Sequence, residues 1–193
     1  VAKNDKFVTL ADDVLAAIVA AGAESVEAAL AAPAGSGTVS SMIEDQAAII
    51  GEKVELRRVA KIAGESFAVY LHKTSKDLPP QVGVVLAHSG SDADTARSVA
   101  QHISFADPQY LSKDDVPAEA VEAERRIVEE ISRGEGKPDA ALPKIVEGRL
   151  GAFFKQVALL EQDYARDNKM QIKQVLEQAG LSVSGFARFR VGS

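Results

Sequence analysis

Apolar residues at helical spacing dominate the beginning of the chain. Positions three and four residues apart predict a helix over about the first 22 residues, with Asn4 or Asp5 as its N-cap. Gly22 is the expected end of this helix, because glycine readily adopts the left-handed conformation found just beyond helix C-termini. The apolar positions of this stripe are Phe7, Leu10, Ala11, Val14 and Ile18.

Helical patterns continue as far as Gly51. An alanine-rich stretch predicts a short helix over residues 25–32, and the proline and glycines of residues 33–37 indicate a loop after it. Ser41 and Glu44 have the spacing of a capping box. This spacing predicts that a further helix begins there and ends at Gly51.

The pattern then changes to that of strands. Residues 54–59 and 67–72 read as two strands, the second with clear alternation, and residues 82–87 form a short apolar run typical of a central strand. Residues 73–81 contain two consecutive prolines and predict an enlarged hairpin loop between the last two strands.

Three further elements are predicted, one before and two after a charged segment in the middle of the chain. Ser91 or Asp92 is expected to cap a helix whose apolar positions continue to Ile103. Residues 171–179 predict a second helix. Residues 183–191 predict a last strand, in which phenylalanine and valine alternate with small or basic residues.

A charged segment with two amphipathic helices separates these elements. Pro117 suits the first turn of the first helix, and the glycine-rich residues 134–138 form the bend. Because so short a turn reverses the chain, the segment predicts a projecting, antiparallel helical hairpin. The expected seam positions are Val121, Glu124, Val128 and Ile131 on one helix and Leu142, Val146, Leu150, Phe153, Val157 and Leu160 on the other.

The order of helices, strands, helical hairpin, helix and strand predicts an α+β fold, not a repeating βαβ pattern. We expect antiparallel sheets flanked by helices in a two-part core, with the helical hairpin (a coiled coil) inserted. Residues 1–62 form the N-terminal part of this core, and residues 63–116 with 161–193 form its C-terminal part. Residues 117–160 form the hairpin.

Composition excludes several classes of protein. The chain of 193 residues has no cysteine, which excludes a disulfide framework, a thiol nucleophile and a cysteine-ligated metal, and suits a reducing cytoplasm. The formal net charge of −6 and the absence of tryptophan argue against direct nucleic-acid binding. No uncharged apolar run approaches the ~18–20 residues of a membrane-spanning helix.

Catalytic and metal-binding motifs are missing from the sequence, which has no phosphate-binding loop, no HExxH and no Gly-x-Ser-x-Gly. His88 ends a strand, and His102 lies near a helix C-terminus, where a positive charge is mildly favourable. His72 ends a predicted strand, either as an ordinary residue at a sheet rim or as a protruding contact. A hydrolase that uses His72 with Asp77 or Asp92 lacks a nucleophile at recognisable spacing. The residues alone therefore indicate a cytoplasmic, non-catalytic, protein-binding module.

Several motifs together resemble the bacterial elongation factor Ts family. Residues 1–4, followed by Phe7, resemble the second half of the family signature Thr-Asp-Phe-Val-Ala-Lys-Asn. The resemblance covers essentially the whole chain. The other matching strings, in order, are Ile50-Gly51-Glu52, Leu56-Arg57-Arg58, Tyr70-Leu71-His72, Val82-Gly83-Val84-Val85, Lys137-Pro138, Val146-Glu147-Gly148-Arg149 and residues 184–192.

The sequence departs from the family pattern at two places. Asp163 stands where the family usually has proline, and the loop of residues 73–81 is longer than usual. The resemblance also implies that the Asp-Phe pair of the signature, a helical domain and the first strands of the core precede Val1. Residues 1–62 are then the remnant of an N-terminal core subdomain.

The resemblance implies a guanine-nucleotide exchange factor for elongation factor Tu, which promotes GDP release by perturbing the Mg²⁺ and phosphate site of that GTPase. It implies no cofactor, metal or catalytic residue, and no membrane or direct nucleic-acid partner. A homo-oligomer stays open, and the alternative is a structural or dimerisation module built around the hairpin. Lys3 and Asn4 could equally be a solvated lysine and a helix cap. The implied partner-binding residues are Val1, Ala2, Lys3, Asn4, Gly51 and His72.

Overall fold

The structure, a computed structural model, describes residues 3–192. Its helices are α1 (Asp5–Ala21), α2 (Val26–Ala31), α3 (Val39–Ile50), α4 (Ala93–Ala106), α5 (Ala118–Gly134), α6 (Leu142–Val157) and α7 (Ile172–Gln178). Its strands are β1 (Pro33–Ala34), β2 (Gly37–Thr38), β3 (Ser66–His72), β4 (Val82–Ser89), β5 (Asp163–Tyr164), β6 (Asp167–Gln171) and β7 (Ser182–Arg190). Single turns of 3₁₀ helix occur at Lys113–Asp115, Asp139–Ala141 and Leu159–Glu161.

The chain folds into two compact units. The first unit comprises the described residues up to Ala63, Leu71–Gly83 and the described residues from Phe189 onwards. The second unit comprises Gly64–Tyr70 and Val84–Arg188. Helices and small antiparallel sheets alternate irregularly along the chain, so the predicted α+β class is confirmed. The subdomain boundaries expected from the sequence stay predictions.

In the first unit, α1 has the predicted ends. The Asn4 side chain accepts a hydrogen bond from the backbone N–H of Lys6 at 2.9 Å, which satisfies one of the free donors of the first turn. Gly22 ends the helix at φ 63°, where its backbone N–H reaches the carbonyls of Ile18 and Val19.

The start of α3 differs from the prediction. The expected N-cap, Ser41, is instead the third residue of the helix, and Thr38 is the N-cap. Thr38 and Ser41 form the capping box themselves, because each side chain accepts a hydrogen bond from the backbone N–H of the other. The helix therefore begins at Val39, directly after the small β1–β2 hairpin.

The core of the first unit lies between α1, α2 and α3. Leu10, Val14 and Ile18 on α1 pack with Val39 and Ile43 on α3, and small alanines of and around α2 fill the space between them. The small side chains let three short helices approach closely. The full set of buried residues in this cluster is Leu10, Val14, Ile18, Ala23, Ala29, Ala32, Ala34, Val39 and Ile43.

The predicted strand at residues 54–59 is wrong. In the part of the chain that the structure describes, these residues form neither helix nor strand. Val54, Leu56 and Val59 nevertheless pack against the core of the first unit. A strand is defined by backbone pairing with a neighbour, and no described strand pairs with this segment. The alternating apolar side chains thus pack against the core, although the backbone does not pair with a neighbouring strand.

Most residues of a sheet in the order β3–β4–β7 belong to the second unit. The central strand of this sheet is β4, as predicted from its continuous apolar run, and Val84 and Leu86 of this strand are fully buried. Helices α4 and α7 pack against the same core through Val99, Ile103 and Ile172. Asp92 caps α4 by accepting a hydrogen bond from the backbone N–H of Thr95 at 2.9 Å.

Helices α5 and α6 form the predicted helical hairpin, but its seam is shifted on α5. Ile131 is 47% exposed, whereas Ser132 is fully buried. Ser132 lies one helical turn after Val128 and donates its hydroxyl hydrogen to the Val128 carbonyl at 2.7 Å, so burial leaves no polar atom unsatisfied. On α6, Phe154 packs in the seam in place of the predicted Phe153.

A small antiparallel hairpin, β5–β6, follows the helical hairpin and was not predicted. Asp163 pairs with Gln171 and Tyr164 with Asp167, with an irregularity between the two pairs. So short a pairing leaves little sequence pattern, since only two residues of β5 take part.

Candidate functional site

The start of α1 contains the first group of predicted contact residues. Val1 and Ala2 lie outside the described residues. Lys3 and Asn4 are exposed, with Lys3 in a turn and Asn4 at the N-cap. The Asn4 carbonyl also accepts hydrogen bonds from the backbone N–H groups of Phe7 and Val8, at 2.9 and 3.1 Å. Asn4 is thus tied to the helix by its backbone and its side chain, and it has the capping role that the sequence left open.

Gly51 ends α3 and has a clear conformational requirement. Its φ of 76° lies in the left-handed region, and its backbone N–H donates to the Ala47 carbonyl at 2.9 Å. A Cβ placed there would meet no described atom within 4 Å. The glycine is therefore required by backbone conformation and not by crowding, and it leaves bare backbone at the end of the helix.

Helices α1 and α3 lie side by side in the first unit. A crevice of about 490 Å³ lies between them and is lined by Asp5 and Thr9 from the first half of α1 and by Met42, Gln46 and Ile49 from α3. Asp5 directly follows Asn4, and Ile49 lies two residues before Gly51. The crevice therefore reaches residues close in sequence to two of the predicted contact positions.

His72 is the last residue of β3 and is exposed. Its backbone carbonyl accepts a hydrogen bond from the N–H of Gln81 at 2.9 Å, across the loop of residues 73–81. The Gln81 carbonyl accepts in turn from Val191 at 2.8 Å, and the side chains of Thr74 and Gln81 are hydrogen-bonded to each other. The backbone under His72 is therefore anchored while its imidazole is exposed. His72 belongs to the first unit, as do Asn4 and Gly51.

An apolar groove in the first unit is a feature that the sequence did not predict. It has a volume of about 480 Å³ and lies between α1 and residues 54–61. Leu15 and Val19 on its wall are 59% and 70% exposed. The Arg58 guanidinium lies 5.1 Å from the centre of the Phe189 ring and donates to the Arg190 carbonyl at 3.2 Å. The available signal was a second apolar stripe on α1, made of Val8, Leu15 and Val19.

Shifted pKa values in this structure arise from local capping and pairing. The Thr95 backbone N–H and hydroxyl lower the pKa of the Asp92 carboxyl, and Ser112 lowers the pKa of Asp115 in the same way. Lys53 lowers the pKa of Glu55 by hydrogen bonding and charge. These carboxylates stabilise helix starts or an exposed ion pair, so their shifts have structural explanations.

The other two histidines are buried. His88 and His102 are 5% and 4% exposed, and both lie in the second unit. Burial lowers the pKa of His102, against the opposing effect of its hydrogen bond to Gln162. The expectation of a favourable positive charge at His102 is therefore wrong, because burial disfavours the charged form of the ring.

Residues 3–192 also bear on metal binding and on membrane insertion. Within this range, no group of three or more histidine, cysteine or acidic side chains is arranged to hold a metal ion. None of the helices described there is long and apolar enough to cross a membrane.

Comparison with known proteins gives a consistent result over the whole chain. The family model for elongation factor TS matches residues 1–193. The elongation factor Ts of Leifsonia xyli subsp. xyli is 71% identical over 193 residues, which are 100% of this chain and 70% of the relative. That of Clavibacter michiganensis subsp. michiganensis is 70% identical with the same coverage. The more distant relative from Tropheryma whipplei is 54% identical over 193 residues, again 100% of this chain and 70% of that protein.

The α+β fold with its inserted helical hairpin, together with the match over the whole chain, defines the class of this protein: it is a translation factor. The chain belongs to the elongation factor Ts family. The resemblance drawn from the sequence motifs is confirmed, and the role of the protein is in translation elongation.

Proposed function

We propose that this protein is a guanine-nucleotide exchange factor for elongation factor Tu, acting in the cytoplasm by protein binding. The observation that carries the proposal is the family match over residues 1–193. The first unit supports it, because the start of α1, the end of α3 and the exposed His72 all belong to that unit. The proposed partner-binding residues are Lys3, Asn4, Gly51 and His72, together with Val1 and Ala2 outside the described range.

The exchange reaction needs no chemistry from the factor itself. A factor that accelerates GDP release binds the nucleotide-free GTPase more tightly than the GDP-bound form. Linkage makes this effect reciprocal, so GDP weakens the binding of the factor by the same ratio. A surface that fits one state of the GTPase is sufficient for this function.

His72 has a defined role in the proposal. Its anchored backbone and exposed imidazole suit a side chain that presses against the phosphate-binding loop of the GTPase. The anchored backbone matters, because the His72 side chain can displace a loop of the partner only if the backbone of His72 does not give way first. Gly51 offers close approach at the end of α3, since it has no side chain to keep a partner away.

The family signature supplies a second role. We propose that Asp-Phe, when placed directly before Val1, is positioned by α1 and acts as a wedge near the Mg²⁺ side of the GTPase. Loss of Mg²⁺ removes a cation that neutralises the phosphates of GDP, so the nucleotide is bound less tightly. The cap at Asn4 would fix the direction in which this wedge leaves the helix.

Release of a fluorescent GDP analogue from pre-loaded elongation factor Tu tests the proposal. Two versions of the chain are compared, one with Thr-Asp-Phe before Val1 and a matched control with Thr-Ala-Ala at the same place. The first version should accelerate release and lower the affinity for GDP by roughly 5- to 150-fold, the usual range for such coupling. The alanine control should accelerate release less.

A failure of both versions to accelerate release would overturn the proposal. The alternative, a dimerisation module built around α5 and α6, has its own readout in the same samples. Sedimentation would then show a dimer that dissociates when the exposed Ile127 and Ile131 of α5 are replaced by serine.

A further inference from the structure

The buried imidazole of His102 connects α4 to the base of the helical hairpin. Its Nε2 lies 2.8 Å from the side-chain oxygen of Gln162, and its Nδ1 lies 3.2 Å from the backbone nitrogen of Ala165. His102 and Gln162 are 4% and 5% exposed. Both ring nitrogens are therefore used, away from water, by a segment about 60 residues further along the chain.

The hydrogen-bond directions fix the protonation state of the ring. The Ala165 N–H can only donate, so Nδ1 must accept with a lone pair. The Gln162 amide nitrogen donates to the Gln156 carbonyl at 3.0 Å, so its oxygen faces the ring and requires a hydrogen on Nε2. Only the neutral imidazole with its hydrogen on Nε2 satisfies both partners. A second proton on Nδ1 would place two donors opposite each other.

Gln162 is the point at which several parts of the second unit meet. Its side chain binds the Gln156 carbonyl in the last turn of α6, and its backbone carbonyl accepts from the N–H of Ile172 at the start of α7. Its backbone N–H donates to the Leu159 carbonyl at 3.1 Å. The orientation of this one amide therefore links the end of the helical hairpin to the helix that follows.

The base of the helical hairpin is joined to the chain that enters it. Tyr110 and Ala158 form a parallel bridge, and the Tyr110 carbonyl accepts from Leu159 at 2.9 Å. The Leu111 carbonyl accepts from Leu160 at 3.0 Å. Tyr110 and Leu111 precede α5, and residues 158–160 follow α6, so these bonds join the two ends of the helical hairpin. Gln162 comes two residues after Leu160. The His102–Gln162 pair therefore lies where the hairpin meets the body of the second unit.

The ionisable groups on the elements packed around His102 have other partners. The Tyr164 hydroxyl is hydrogen-bonded to Ser98, and the centre of its ring lies 6.3 Å from that of His102. On the neighbouring elements, ion pairs join Asp163 with Lys155 at 3.3 Å and Glu161 with Lys173 at 3.2 Å, and Arg166 donates to Gln101 at 3.0 Å.

We propose that His102 is a pH-sensitive latch that fastens the β5–β6 hairpin and the base of the helical hairpin to α4 when its imidazole is neutral, and releases them when it is protonated. The latch is distinct from the partner-binding residues of the first unit. It would make the mounting of the helical hairpin weaker under mild acid.

The direction of the pH effect follows from linkage. Burial lowers the pKa of His102 in the closed state, so the opened state binds more protons. The latch is closed most tightly above the ordinary histidine pKa of about 6.5 and loosens as the pH falls below it. Within that window the equilibrium constant for opening rises by up to about tenfold per pH unit for one proton.

Amide hydrogen exchange by NMR tests this inference on the intact chain. The protection factor of the Ala165 N–H is measured from pH 7.5 to 5, after correction for the intrinsic exchange rate. We expect it to fall as the pH decreases below about 6.5, by up to tenfold per unit. Amides in the middle of α1, in the first unit, should show no such change. A protection factor at Ala165 that is constant from pH 7.5 to 5 would overturn the proposal.

Substitutions separate the latch from a purely structural role. His102→Asn keeps an acceptor for Ala165, and His102→Gln keeps a donor for Gln162; neither can be protonated. Both should lower protection at pH 7.5 and abolish its dependence on pH. His88→Gln, at an equally buried histidine of the same unit, should keep the wild-type dependence. If the His102 variants retain that dependence, or if His88→Gln removes it, the latch is not at His102.

Discussion

The core around β4 in the second unit is closed, whereas the face of α1 in the first unit borders an open groove. In the second unit, Leu86, Ile103 and Ile172 have no exposed surface. In the first unit, several core residues border an open groove, and Leu15 and Val19 on the same helix remain largely exposed. The sequence patterns of the two regions are similar. The comparison shows that an amphipathic pattern predicts which face is apolar, but whether that face is closed depends on what packs against it.

The histidines of the two units make the same point for polar groups. His72 lies at an exposed strand end above an anchored backbone, whereas His102 is enclosed and has both ring nitrogens hydrogen-bonded. The first environment suits a contact with another protein. The second suits a structural link whose strength depends on protonation. The same residue type therefore has different proposed roles, set by burial.

The largest expected effect is on the free energy of unfolding, and it is tested by comparing substitutions at two leucines. Leu86→Ala in the closed core should lower the free energy of unfolding by about 2–5 kcal/mol, because it removes buried surface and leaves a cavity. Leu15→Ala, the matched change beside the open groove, should alter it by less than about 0.5 kcal/mol. Urea unfolding followed by circular dichroism measures both. Equal losses would show that the groove is closed in solution.

A smaller effect is expected at the N-cap of α1. Asn4→Ala should destabilise the first unit by about 1 kcal/mol, because a helix donor loses its acceptor, whereas Asn4→Ser should retain most of the stability. The same two variants in the GDP-release assay distinguish a cap from a contact. If Asn4 acts only as a cap, Asn4→Ser should accelerate GDP release from elongation factor Tu as much as the unchanged chain does. A weaker acceleration by a stable Asn4→Ser chain would show a direct contact.

Local features of the fold could be predicted from the sequence. The ends of α1 and α3 at Gly22 and Gly51 follow from glycine at positions with positive φ, and the cap at Asn4 follows from its short polar side chain. The central position of β4 follows from its unbroken apolar run. These signals depend on residues within a few positions of one another.

Features that depend on distant residues could not be predicted. The segment 54–59 has the composition of a strand, but a strand also needs a partner, and the sequence does not specify one. Whether Ile131 or Ser132 is buried in the seam depends on how α5 is rotated against α6. The His102–Gln162 bond joins residues 60 positions apart, with no local pattern to mark it.

The candidate site was predicted from the resemblance and only partly from the residues. The position of His72 predicts a strand-end histidine, and its exposure at the end of β3 fits both an ordinary residue at a sheet rim and a protruding contact. The crevice that reaches residues next to Asn4 and Gly51 depends on the packing of α1 against α3, which the sequence pattern does not give. Their contacts with elongation factor Tu stay predictions.

The rate of GDP release from elongation factor Tu in the presence of His72→Ala tests the central claim most directly. The intact chain, His72→Ala and the control Glu177→Ala, at an exposed position of α7, are compared at equal concentrations after urea unfolding has shown equal stability. The account predicts that His72→Ala accelerates release at least about fivefold less, as expected for a contact worth about 1 kcal/mol, and that Glu177→Ala matches the intact chain. Equal acceleration by the intact chain and His72→Ala would contradict it.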